Sequence, residues 1–154
     1  MTPVGNVSDK YLSFTLDSLS AYPETWQYIN FSFMVPLAKA LAPSYFRFGG
    51  TYSDVFVFNE TLNGPINQEV PWALTNGFFG NKTTIFSGEQ FDTLYNFASN
   101  SGWRFIFDLN LMLRNGTGWT EATIHSSRWN STNAKTLFDY ASSKGYEMDW
   151  ELGN

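Results

Sequence analysis

Apolar residues in this chain recur with two alternating periods, a short strand-like run followed by a longer helical stretch. Tyr11-Leu-Ser-Phe-Thr-Leu-Asp17 alternates apolar with polar residues and ends on an acid, which predicts a first strand. Phe33 to Ala42 predicts a helix, with Pro36 placed in its first turn, Leu37, Ala40 and Leu41 on one face, and Pro43 as its stop. Tyr45-Phe-Arg-Phe48 predicts a second strand that breaks into Gly49-Gly50-Thr51. Ser87 with Gln90 three residues on is a capping box. The helix behind it carries Phe91, Leu94, Tyr95 and Ala98 on one face and ends at Gly102. Arg104-Phe-Ile-Phe-Asp-Leu109 predicts a third strand, nearly continuous in apolar residues as parallel strands buried on both faces are. A third helix begins near Asn130 or Ser131 and buries Ala134, Leu137, Phe138 and Ala141, with Gly145 just past its end. Glu147 to Leu152 predicts the fourth strand.

Strands alternating with helices imply parallel βα units, hence an α/β fold. The stretch from Asn59 to Asn81, rich in Gly, Asn and Pro, predicts an elaborated loop, and Asn115 to Gly118 a second one. Polar residues collect at the C-terminal end of each strand, which favours the N-terminal half of a (β/α)8 barrel, with a doubly wound sheet as the alternative. A complete barrel takes about 250 residues. The 154 residues are therefore expected to form one partial barrel domain of about four units.

Composition narrows the chemistry. Charged residues are only 15% and aromatics 19%, so a packed interior is expected and most of the Trp, Tyr and Phe are assigned to it. A net charge of −5 argues against a nucleic-acid partner. With no cysteine and a single histidine, His125, neither a disulfide framework, a thiolate, a transition-metal site nor a Ser-His-Asp triad is expected, and no cofactor is implied. No apolar run is long enough for a transmembrane helix. Asn-X-Ser/Thr sequons begin at Asn6, Asn30, Asn59, Asn81, Asn115 and Asn130. Together they favour a secreted or lysosomal protein, with glycans expected on all but Asn30, which lies in an apolar stretch.

Parallel strands share one direction, so the polar groups at their ends converge on one rim. Those groups are Asp17, the Gly49-Gly50-Thr51 turn, Asp108 with Asn110, and Glu151 with Asn154. Asp17 is either a loop cap or a ligand contact. Gly50 is either a plain turn or a place where backbone approaches a ligand. Arg47, inside an apolar strand, is expected to pair with a rim carboxylate. Glu151 is expected to support the site from below, with Arg47 or a neighbour as its partner.

Several segments resemble the heparanase-type glycoside hydrolases, retaining endo-β-glucuronidases built on a (β/α)8 barrel. They are Tyr45-Phe-Arg-Phe-Gly-Gly-Thr51, the run from Phe105 to Arg114, Trp129-Asn-Ser-Thr-Asn-Ala134, and Asp139 to Tyr146 leading into Trp150-Glu-Leu-Gly-Asn154. The resemblance implies that Asp17 and Thr51 contact the sugar beside the scissile bond and that Asn154 bonds near its 2-position. Gly50 joins that substrate-binding set, while Arg47, Glu151 and Asn110 stand behind it. It also implies an acid/base glutamate immediately after Asn154 and a nucleophile on a later strand. No catalytic carboxylate is thus expected within these residues, and the chain alone should be inactive. Its expected partners are a glycosaminoglycan, heparan sulfate or hyaluronan, and the remainder of the same polypeptide. The chain departs from the family at Leu19, where an Asn is usual, and at Asn100 and Ala141, where relatives carry cysteines. Lys82 is the main remnant of the basic cluster, and the excisable linker is shortened to a loop around Asn59 to Gly80. A non-catalytic glycan-binding relative is the rival reading.

Overall fold

The computed structural model describes residues 5–62, 64–65, 84–112 and 128–154. Four strands, β1 (Ser13–Asp17), β2 (Ser44–Gly49), β6 (Trp103–Leu109) and β7 (Asp149–Leu152), form one sheet in the order β1-β2-β6-β7. Every neighbouring pair in it is parallel. The chain is therefore an α/β protein with a parallel sheet, laid down in sequence order. Between the strands run α1 (Pro23–Trp26), α2 (Phe31–Lys39), α3 (Gly88–Ser101) and α4 (Thr132–Ser143). A second, smaller sheet joins β3 (Phe56–Asn59), β5 (Thr84–Ser87) and β4 (Gly64–Pro65). This sheet was not foreseen. Gly64–Pro65 lies inside the stretch read as loop, and the rest of that stretch beyond residue 65 falls outside the described residues, as do Asn81, Lys82, Asn115 to Gly118 and His125.

Side chains on a strand alternate between the two faces of its sheet. Phe46, Phe48, Phe105 and Phe107 all point to the helix-covered face, where Phe46 stacks on Phe105 at 5.5 Å and Phe48 on Phe107 at 5.5 Å between ring centroids. Phe91 and Leu94 of α3 are fully buried against them. Large aromatic rings each bury much area, and offset or edge contacts fix how they nest. The opposite face carries Thr15, Arg47, Ile106 and Asp149 in one row, and Asp17, Gly49, Asp108 and Glu151 in the next. β6, nearly continuous in apolar residues as a sequence, alternates between two unlike faces. Arg104, Ile106 and Asp108 face a polar side, and only Trp103, Phe105, Phe107 and Leu109 enter the aromatic core.

The capping box is present: Ser87 accepts from the Gln90 N–H, and the Gln90 side chain accepts from the Ser87 N–H. Gly102 closes α3 with φ 73°. The first long helix differs from expectation. Asn30 accepts the Phe33 N–H at 3.0 Å and starts α2 at Phe31, so Pro36 lies in the helix interior rather than its first turn. The face bearing Leu37, Ala40 and Leu41 is the outer one, because Phe31, Met34, Val35 and Ala38 are the residues turned to the core. Two apolar faces on one helix left the periodicity without a unique answer.

Candidate functional site at the strand ends

The register sets the site. Asp17 is level with Gly49, and Asp108 with Glu151, so the C-terminal ends of four strands meet at one height. Arg47 joins them. Its Nε donates to Glu151 at 2.5 Å and its Nη2 to the Asn154 side-chain oxygen at 3.1 Å. The same Nη2 stands 3.6 Å from Asp108. The Glu151 hydrogen bond raises the Arg47 pKa above its ordinary value, against the opposing effect of burial. Glu151 is consequently occupied by a cation and is poorly placed to protonate a leaving group.

Asp108 has a fully buried side chain. Its Oδ2 accepts the Gly50 N–H at 3.2 Å. Its Oδ1 is buried without a hydrogen-bond partner among the described residues. Burial pushes the carboxyl up to about 6, and the negative charges of Glu151 and Asp54 add to the rise while Gly50 N–H and Arg47 oppose it. Although Asp108 was legible as a strand-end residue, its central place in the network was not. An acid in an otherwise apolar run was the available signal.

The Gly49-Gly50 pair makes this packing possible. A Cβ at Gly49 would lie 2.7 Å from the Arg47 guanidinium carbon and 2.8 Å from the Asp108 Cβ. Gly50 has φ 130°, a conformation that side chains disfavour, and a Cβ there would meet Asp17 Oδ2 at 3.0 Å. These glycines make room for the rim's own side chains. Thr51, the next residue, is exposed and opens a short 3-10 turn, Thr51–Val55. Asp17 caps another such turn, accepting the Leu19 N–H at 2.8 Å, and remains exposed at the rim. Capping and ligand contact are thus compatible at this residue.

Asn110 is tied into the scaffold rather than presented at the rim. Its amide donates to Phe56 O at 2.6 Å and accepts from the Met112 N–H at 2.8 Å, and its carbonyl accepts from Trp129 at 2.9 Å. Of the sequon asparagines within the described residues, Asn6 is exposed, Asn30 caps α2, Asn59 organises the turn to Leu62, and Asn130 accepts the Thr132 N–H. Among the described residues, no group of acids and histidine is arranged to hold a metal ion, and no helix is long and apolar enough to cross a membrane.

Polar side chains gathered at the C-terminal ends of parallel strands stand where enzymes of the (β/α) class build their sites. Residues 27–154 match the glycosyl hydrolase family 79, N-terminal domain. The chain belongs to that family of glycosidases. Mouse heparanase is 32% identical over 99% of this chain and 33% of its own length. A hyaluronoglucuronidase from the leech Hirudo nipponia is 30% identical over 98% of this chain and 33% of its own. Human inactive heparanase-2 is 27% identical over 99% of this chain and 32% of its own. The chain spans about a third of the length of these relatives.

Proposed function

We propose that this chain supplies the first four βα units of a (β/α)8 barrel in a retaining endo-β-glucuronidase acting on heparan sulfate or a related uronic-acid glycan. The observation that carries the reading is the joining of Arg47, Glu151, Asn154 and Asp108 at one end of a sheet ordered β1-β2-β6-β7. Family membership and the likeness to a heparanase and a hyaluronoglucuronidase support the chemistry.

In this reading Asp17, Gly50, Thr51 and Asn154 face the sugar beside the scissile bond, and Arg47, Glu151 and Asn110 hold them in place. A retaining enzyme needs one carboxylic acid to protonate the leaving oxygen and one carboxylate, about 5 Å away, to capture the anomeric carbon. Asp108 is buried and Glu151 is gripped by Arg47, so the proposal assigns both roles to residues beyond Asn154, the acid/base directly after it. The sequons further support a secreted or lysosomal location, which a mobility shift on enzymatic deglycosylation would test.

A non-catalytic reading is favoured by one observation, the likeness to inactive heparanase-2 over nearly the whole chain. The coding sequence past Asn154 separates the two. Glu-Pro there, with cleavage of heparan sulfate or hyaluronan oligosaccharides by the full-length protein and retention of anomeric configuration, is the expected result. A non-acidic residue at that position, or no cleavage of either glycan, sinks the enzyme reading.

A further inference from the structure

We propose that Asp108 is a positioning residue that orients the Gly49-Gly50-Thr51 turn and, through Arg47, Asn154 for an anionic sugar without touching the sugar itself. The inference rests on the glycosidase reading above. One side chain links the two parts of the rim that a uronate would meet. Asp108 Oδ2 accepts the Gly50 N–H, fixing the turn that presents Thr51, and the same oxygen lies 3.6 Å from Arg47 Nη2, which bonds Asn154. The fit is close enough that Gly49 has no room for a Cβ between Arg47 and Asp108. A fully buried carboxylate with one oxygen unpartnered among the described residues is expensive to keep charged, which makes its charge state sensitive to pH.

Its charge state gives the role a signature. The groups facing Asp108 are Arg47 from β2, Glu151 from β7 and Asp54 from the turn after β2, with Asp17 of β1 acting on Arg47. With Arg47 always protonated and already paired to Glu151, Asp108 is the group here whose charge changes near pH 6. Charged, it adds a negative centre beneath the place of a uronate and draws on Arg47. Neutral, it still accepts the Gly50 N–H while that repulsion is gone. Affinity for an acidic sugar should therefore weaken as pH rises through this range, with the chemical step untouched.

The test is the KM and kcat of the full-length protein on a uronic-acid oligosaccharide between about pH 5 and about pH 7, for wild type, Asp108→Asn and Asp108→Ala. Wild-type KM should rise severalfold across the range. Asp108→Asn, which keeps the shape and one acceptor oxygen, should hold the low-pH KM throughout, with kcat unchanged. Asp108→Ala should raise KM at every pH. Identical KM profiles for wild type and Asp108→Asn, or a loss of kcat in the Asn variant with KM unmoved, would overturn the proposal. If full-length wild type cleaves no glycan, the enzyme reading has failed instead. Thermal melts then decide on Asp108: because its folded pKa is raised, wild type should lose stability relative to Asp108→Asn as pH rises from about 4 to about 7. A constant gap between the two would overturn the role.

Discussion

Arg47 engages three partners from one guanidinium: Glu151, Asn154 and, more distantly, Asp108. Arg47 and Glu151 are both partly exposed, so solvent screens that pair and it adds little to stability. The value lies in geometry, because a planar fork fixes several acceptors at once. The glycine beneath is part of the same device. Gly49→Ala places a methyl under 3 Å from both Arg47 and Asp108, and Asp108 Cβ, anchored to a strand, cannot retreat. A loss of about 1–3 kcal/mol in denaturant melts of the full-length protein is expected. A substitution that leaves the midpoint unmoved would show that the two side chains pack elsewhere. Asp17 offers a contrast. It is exposed at a strand end, and its Oδ1 already caps a turn. In the proposed enzyme, Asp17→Ala should slow turnover roughly ten- to a hundredfold, the value of one polar contact that strengthens in the transition state. Asp139→Ala, on the outer surface of α4 where it pairs with Lys135, should be near wild type. Equal rates in both variants would mean that the rim is not where the sugar sits.

α2 presents apolar residues on two sides. Phe31, Met34, Val35 and Ala38 pack inward, while Phe33, Leu37 and Leu41 stand 74%, 66% and 51% exposed. In the half-barrel reading this outer stripe meets a helix from the rest of the polypeptide. Leu37→Lys should then destabilise the full-length protein by about 1.5–3 kcal/mol, the transfer value of a buried leucine, yet make the 154-residue chain more soluble. No change in the full-length melt would argue that nothing covers this face. The same helix shows what was legible beforehand. A capping box, a closing glycine and a single apolar stripe defined α3 almost to the residue, since all three signals agree at Ser87, Gly102 and the Phe91–Leu94–Ala98 face. For α2 the competing stripes gave equally good periodicity, and only tertiary packing chooses between them. In β6 the strand itself is legible, but its two faces are not, for a related reason. Trp-Arg-Phe-Ile-Phe-Asp-Leu contains one apolar residue, Ile106, on its polar face, enough to blur an alternating pattern into a continuous one. The Arg47–Glu151 pair was foreseeable from the cost of an arginine in an apolar strand, but the central place of Asp108 depends on a turn closing over it.

At the scale of the whole molecule, the two faces of the parallel sheet differ in kind. Aromatic rings and helices cover one side, while the other carries Arg47, Arg104, Asp108, Asp149 and Glu151. Both outer strands leave backbone groups without a sheet neighbour among the described residues, and Phe14 and Leu152 on those strands are 44% and 50% exposed. Unpaired edges with apolar side chains invite association. The isolated 154-residue chain is expected to sediment as aggregates and to release no product from either glycan. A monomeric chain with a sharp, cooperative melt would count against the half-barrel. The strand order has a further meaning for how such a molecule is made. Because β1, β2, β6 and β7 neighbour one another in the order of synthesis, no strand has to be threaded between two that are already joined. A chain emerging from the ribosome can add each unit to the margin left by the previous one, so this sheet can grow in a single direction while translation is still under way.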